Sequence, residues 1–198
     1  MSVVPKSAPS VDPSPVSSSP LPPSPRRPVE LDESRLREID AAASALLTEF
    51  WKEEGAPLNL AVFTDGAGVQ VRERGGRAEP MYAHHGRLLR LDGAPVIEVN
   101  RALDPWTRRL VAAHALGHHV LGHLAVPPEI PEHFGSTCQS VIEREATRFA
   151  LALLLPEAAL RRGMEEGWVS VKRLSEGFAM PEACVRERIL QIERHCPL

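Results

Sequence analysis

The chain has 198 residues, 43% of them hydrophobic, with a formal net charge of −3. That is enough apolar material for one domain with its own core, and the acidic balance excludes a protein that coats nucleic acid through general basicity. The longest apolar run, Phe149 to Leu155, has seven residues against the roughly 18 of a membrane span, and the three cysteines, Cys138, Cys184 and Cys196, are too few and scattered for a disulfide framework. The N-terminus lacks the basic-then-apolar layout of a signal peptide, so a soluble, cytoplasmic protein is expected.

Residues 1–29 hold nine prolines and eight serines and almost nothing to bury. Such a stretch cannot offset its ordering entropy and reads as a disordered tail. The fold begins near Leu31. Asp32 is a good N-cap, and Leu36, Ile39, Ala43, Leu46, Leu47 and Phe50 recur at helical spacing, which predicts a helix over 33–53 ended by Gly55 and Pro57. A strand-rich region follows: Leu60 to Phe63, a turn at Asp65–Gly66, Val69 to Arg72, then Leu88 to Leu91 and Pro95 to Val99 about a turn at Asp92–Gly93. This spacing predicts a small antiparallel sheet of three or four strands. From Asp104 the pattern is helical. Asp104 caps, Pro105 takes the first helical position, and Gly122 is the stop. Further helices are predicted over 137–155, 156–166, 170–177 and 181–195. The fold class is α+β, a small sheet beside a helical bundle, with residues 30–166 as the main domain and 167–198 as a C-terminal helical pair packed on it.

Five of the eight histidines lie between 114 and 133. His114 and His118 are four residues apart, about 400° of helical rotation, so both imidazoles leave nearly the same face one turn apart. That spacing lets two nitrogens reach one ion at roughly 2.0–2.1 Å. His119 and His123, about 140° and 180° from His114 on the same helix, read as surface or outer residues. A catalytic zinc needs a third protein ligand and an open position. The next helix offers Glu143 and Glu145, while Phe149, Ala150, Leu153 and Leu154 mark its core face. Cys138 is a further candidate by chemistry, but a lone thiol is more often a plain small side chain.

The segment Arg108 to His123, reading RRLVAAHALGHHVLGH, resembles the active-site helix of the ImmA/IrrE-type metallopeptidases, R-F-x-x-A-H-E-L-G-H-x-L-L-x-H. The segment Glu143 to Pro156, reading EREATRFALALLLP, resembles that family's second signature, E-x-E-A-N-x-F-A-A-x-L-L-M-P, and Val96 to Asn100 resembles its edge strand. The resemblance implies a zincin-like peptidase core that binds Zn2+. His114 and His118 match the two histidine ligands, and Glu143 matches the third, with Glu145 as the fallback. The family's substrate class implies a protein partner, a helix-turn-helix transcriptional repressor cut at one site in a stress or mobile-element response. Its substrate peptide would lie along the strand ending at Val99 and Asn100 by strand addition.

One departure outweighs the matches. Where the family has its general-base Glu after the first His, this chain has Ala115. Alanine cannot take the proton of an attacking water and deliver it to the leaving amine, a contribution of typically ~10²–10⁴-fold. Ala115 is what a natural pseudopeptidase or an engineered inactive variant would carry. The alternative function is a non-catalytic module that binds a partner or DNA. The resemblance also implies a helix-turn-helix-like C-terminal pair, but Arg186, Arg188 and Arg194 are nearly cancelled by Glu182, Glu187 and Glu193, and Val171, Leu174, Phe178, Val185, Ile189 and Ile192 suit a core. Direct DNA binding is therefore not expected.

Overall fold

The computed structural model describes residues 31–52, 55–75, 85–123 and 140–194. The Pro/Ser-rich tail, Cys138, Cys196 and the predicted helical residues 137–139 lie outside them. Seven helices and three strands follow one another in the described residues: α1 (Glu33–Phe50), α2 (Leu60–Gly66), β1 (Gln70–Arg74), β2 (Gly86–Leu91), β3 (Ala94–Asn100), α3 (Pro105–Val120), α4 (Val141–Leu154), α5 (Glu157–Glu165), α6 (Val171–Phe178) and α7 (Glu182–Glu193). The architecture is α+β, as the sequence pattern predicts.

Local chemistry sets most of the element ends. Asp32 accepts a hydrogen bond from the Arg35 amide at 2.8 Å and starts α1. Asp104 accepts from the Trp106 and Thr107 amides and, with Pro105 at the first turn, starts α3. Asp92 and Gly93 both have positive φ, 52° and 84°, the backbone that a two-residue hairpin between β2 and β3 requires.

Two expectations for the sheet are corrected. Leu60 to Phe63 is the start of helix α2, not a strand. Asn59 caps it by accepting from the Ala61 amide, and burial falls on Phe63 and Thr64, adjacent positions that alternation would send to opposite faces. An apolar run this short does not distinguish the two periods. The sheet is also mixed, in the order β1-β3-β2. β2 runs antiparallel to β3 with Leu88 opposite Ile97, whereas β1 runs parallel to it with Val71 opposite Ile97. β1 and β2 thus flank β3, which is the central strand. Val96 to Asn100 are all buried, with Ile97 and Val99 in the main core.

Helices α3 and α4 form the centre of that core. They approach closely where α3 has Gly117. A Cβ there would sit 3.0 Å from both the Ala146 carbonyl oxygen and Phe149 Cδ1. Helix α1 covers α4, tied to it by a two-pronged Arg148–Asp40 pair at 3.0 and 2.6 Å.

The C-terminal pair joins the same core through Leu174, Phe178, Met180, Val185 and Ile192. Arg109 of α3 donates to the Phe178 and Leu58 carbonyls, both at 2.6 Å, and so anchors the end of α6. Trp168 sits over Gly163 and Gly177, its ring edge-on to Phe178 at 5.9 Å. A Cβ at Gly177 would lie 2.1 Å from Trp168 Cζ3. Gly177→Ala gains about 1 kcal/mol of helix propensity, yet it must evict an indole held from several sides, an overpacking cost of about 1–3 kcal/mol to which loss of the Trp168 packing is added. The expected result is a melting temperature lower by about 3–6 °C. A melting curve unchanged or raised would show that Trp168 does not lock α5 to α6.

Candidate metal centre

His114 and His118 leave one face of α3, and α4 delivers Glu143 to the same point. His114 Nε2 lies 3.0 Å from His118 Nε2 and 2.9 Å from Glu143 Oε2, and His118 Nε2 lies 3.3 Å from Glu143 Oε1. All three side chains are buried. Among the described residues they form the one cluster of histidine, cysteine and carboxylate groups able to hold a metal ion. The donor chemistry fits such an ion. Converging lone pairs at these separations repel unless a proton or a metal ion sits among them. Donors held at about 2.0–2.1 Å around a tetrahedral zinc lie about 3.3 Å apart, near the separations found here.

The protonation states suit the same purpose. Burial lowers the His114 imidazole below its usual value, against the opposing pull of Glu143, so the ring is neutral near pH 7. Burial pushes the Glu143 carboxyl up, but the hydrogen bond with His114 and the nearness of the His118 ring outweigh this and hold it down at about 2. Neutral imidazole and ionised carboxylate are the forms that bind metal. His114 Nδ1 lies 3.2 Å from Thr147 Oγ1, one turn beyond Glu143 on α4, a contact that turns the ring's other nitrogen toward the cluster.

Glu145 is placed elsewhere. Its two oxygens accept from Arg35 Nε and Nη2 at 2.9 and 2.6 Å, and Oε2 also lies 2.9 Å from His123 Nε2. The Arg35 hydrogen bond is the main reason its carboxyl is lowered. Extrapolating the α3 helix put His123 on the opposite side from His114, but the helix stops first. Gly122, at φ 76°, reverses the chain, the His123 amide donates to the His118 carbonyl at 2.9 Å, and the Gly122 amide donates to that of His119 at 3.2 Å. This glycine-terminated cap returns His123 onto His118, with Nδ1 to Nδ1 at 3.1 Å. The stop signal at Gly122 is legible in the sequence, but where it sends His123 is set by the geometry of the cap. Arg35 and Thr147 carried no signal, because their roles depend on contacts across helices.

Ala115 is fully buried and belongs to the apolar core. His119 is half-buried, with burial lowering its pKa, and stands outside the cluster. Cys184 is a free, buried thiol pushed up to about 11 by burial, far from a ligand's thiolate form. Val99 and Asn100 are on the central strand. Val99 stands between Gly86 and Glu73, and Asn100 pairs with Arg74 on one side while its amide donates to the His85 carbonyl at 2.8 Å on the other. The expected edge strand is therefore corrected: no side of β3 is open to an added peptide, and among the described residues the outer strands of the sheet are β1 and β2. Asn100 Oδ1 instead accepts from the Ala102 amide at 2.9 Å and shapes the turn into α3.

No helix of the described residues is long and apolar enough to cross a membrane. No curated protein matches the sequence. Among solved structures, a Mycobacterium tuberculosis transcriptional regulator is similar in fold, with 21% identity, a TM-score of 0.55, and coverage of 77% of this chain and 46% of its own. This chain thus spans about half the length of that structure. The family model described as the IrrE N-terminal-like domain matches residues 65–190, which include both helices of the cluster. The chain belongs to this family, Peptidase M78, a family of zinc-dependent metallopeptidases.

Proposed function

We propose that the chain is a zinc-binding, peptidase-type regulator that holds a protein partner, a helix-turn-helix repressor, and as it stands turns that partner over slowly or not at all. The observation that carries this reading is the assembled trio of His114, His118 and Glu143 beside a buried alanine at the general-base position. His114 Nε2, His118 Nε2 and the Glu143 carboxylate would hold the zinc, which when bound polarises a carbonyl and acidifies water. Glu143, held ionised, is a ligand and not a proton acceptor. Glu145 is engaged by Arg35 and His123, so it is not free to serve as a substitute base. Ala115 offers no atom to take up a proton.

The DNA-binding alternative is less favoured. On α7, Arg186 pairs with Glu182 at 2.6 Å, and the buried Arg188 donates to the Leu155 carbonyl at 3.2 Å with Asp40 at 3.8 Å. Two of the three basic side chains that this helix would offer to phosphates are already engaged. A free buried thiol at Cys184 accords with a cytoplasmic setting.

The test is to mix the zinc-loaded chain with each of a panel of purified helix-turn-helix repressors, measuring binding by calorimetry and cutting by mass spectrometry. A stable complex with an intact partner is expected. Prompt cleavage by the unaltered chain overturns the missing-base reading, and binding to none of the panel overturns the repressor assignment.

A further inference from the structure

We propose that Arg35, Glu145 and His123 form a positioning chain that sets the tautomer and ring orientation of His118, so that its Nε2 lone pair faces the cluster. The proposal rests on the reading of His114, His118 and Glu143 as metal ligands. A neutral imidazole has one protonated and one bare nitrogen, and only the bare one can bind a metal. His118 could adopt either form. Its Nε2 faces His114 and Glu143, and its Nδ1 faces His123 Nδ1 at 3.1 Å. Of two Nδ1 atoms at hydrogen-bond distance, one donates and the other accepts.

The far end of the chain decides which. His123 Nε2 lies 2.9 Å from Glu145 Oε2. An ionised carboxylate only accepts, so His123 carries its proton on Nε2 and leaves Nδ1 bare. His118 Nδ1 must then donate to it, and the bare nitrogen of His118 is Nε2; the proton that faces the ionised Glu143 is carried by His114, whose Nε2 is 2.9 Å from Oε2, against 3.3 Å between His118 Nε2 and Oε1. Glu145 is itself gripped by the Arg35 fork at 2.9 and 2.6 Å, a two-point contact that holds the carboxylate plane. Each link comes from a different element: Arg35 from α1, Glu145 from α4, His123 from the turn that ends α3. The chain also connects the outer helix α1 to the cluster, and it accounts for the presence of two glutamates two positions apart on α4 with different tasks. Glu143 faces the histidines' metal-side nitrogens, while Glu145 acts on His118 from behind through His123.

The experiment combines histidine-ring NMR with zinc affinity measured against a competing chelator. Long-range proton–nitrogen spectra of the unaltered metal-free chain are expected to show His123 protonated on Nε2 and His118 on Nδ1. The opposite tautomer at His118 overturns the proposal without any variant. His123→Leu, which removes the acceptor, is expected to weaken zinc binding by about 10–100-fold while leaving one site per chain. His123→Asn places an amide oxygen near the former Nδ1 and is expected to recover most of that loss, which a purely structural role for the imidazole would not produce. Wild-type affinity in His123→Leu, or equal loss in the Leu and Asn variants, overturns the proposal. Glu143→Ala is the control for the ligand assignment. Unchanged affinity there refutes that assignment, an outcome distinct from any of the His123 results.

Discussion

Ala115→Glu is expected to raise single-turnover cleavage of a bound protein partner by at least ~10²-fold, with Ala115→Asp in between. Amide hydrolysis needs a proton removed from the attacking water and delivered to the departing nitrogen, because an unprotonated amide nitrogen leaves poorly. Position 115 follows His114 on α3, and on the proposed reading a glutamate there is long enough to reach the attacking water. Aspartate is shorter by one methylene. The structure adds a cost to this exchange. Ala115 is fully enclosed in the core, so the longer side chain displaces neighbours at about 1–3 kcal/mol. A gain in rate together with a loss in melting temperature is therefore expected, and the rates are compared well below the transition of each variant. Equal, metal-dependent rates for Ala and Glu would show that another group is the base. No cutting by any of the three, with partner binding kept, would make the site one for capture and not for cleavage.

His118→Ala and Glu143→Ala are expected to emerge from purification without stoichiometric zinc, read by plasma emission spectroscopy. Each removes one of three donors that stand within 3.3 Å of one another, and two remaining donors make a poor site for an ion that takes three protein ligands. Glu145→Ala is the informative contrast. Its carboxylate faces Arg35 and His123 and not the cluster, so that variant is expected to keep one zinc per chain at reduced affinity. Loss of metal in Glu145→Ala alone, with full zinc in Glu143→Ala, would transfer the third ligand to Glu145.

Much of this site is visible in the linear chain because its instructions are local. An aspartate before a helix, a proline in its first turn and a glycine after its last are recognised by neighbours a few residues away. Asp32, Asp104 with Pro105, Gly122 and the Asp92–Gly93 turn all act where the sequence places them. The pairing of His114 with His118 is local as well, since helical spacing alone turns both rings to one side. Short apolar runs carry less. Leu60 to Phe63 suits a strand or a helix, and only the Asn59 cap and the burial of Phe63 and Thr64 settle it as α2.

The sequence by itself determined the α+β class, the helix bearing the two histidines and the missing carboxylate at position 115. Tertiary structure decided which partners those residues meet. Strand order is a matter of which strands pair across the sheet, and β3 is central, with β1 on one side and β2 on the other, where the resemblance implies an edge strand. Glu143 and Glu145 stand two positions apart on α4, about 200° of rotation, so the roll of α4 against α3 at the Gly117 contact selects which of them meets the histidines. His123 lies past the end of its helix, where angular extrapolation no longer applies, and the backbone reversal at Gly122 brings it to His118. Periodicity specifies the face on which a side chain leaves its own element; the surface opposite that face is set by packing between elements distant in sequence.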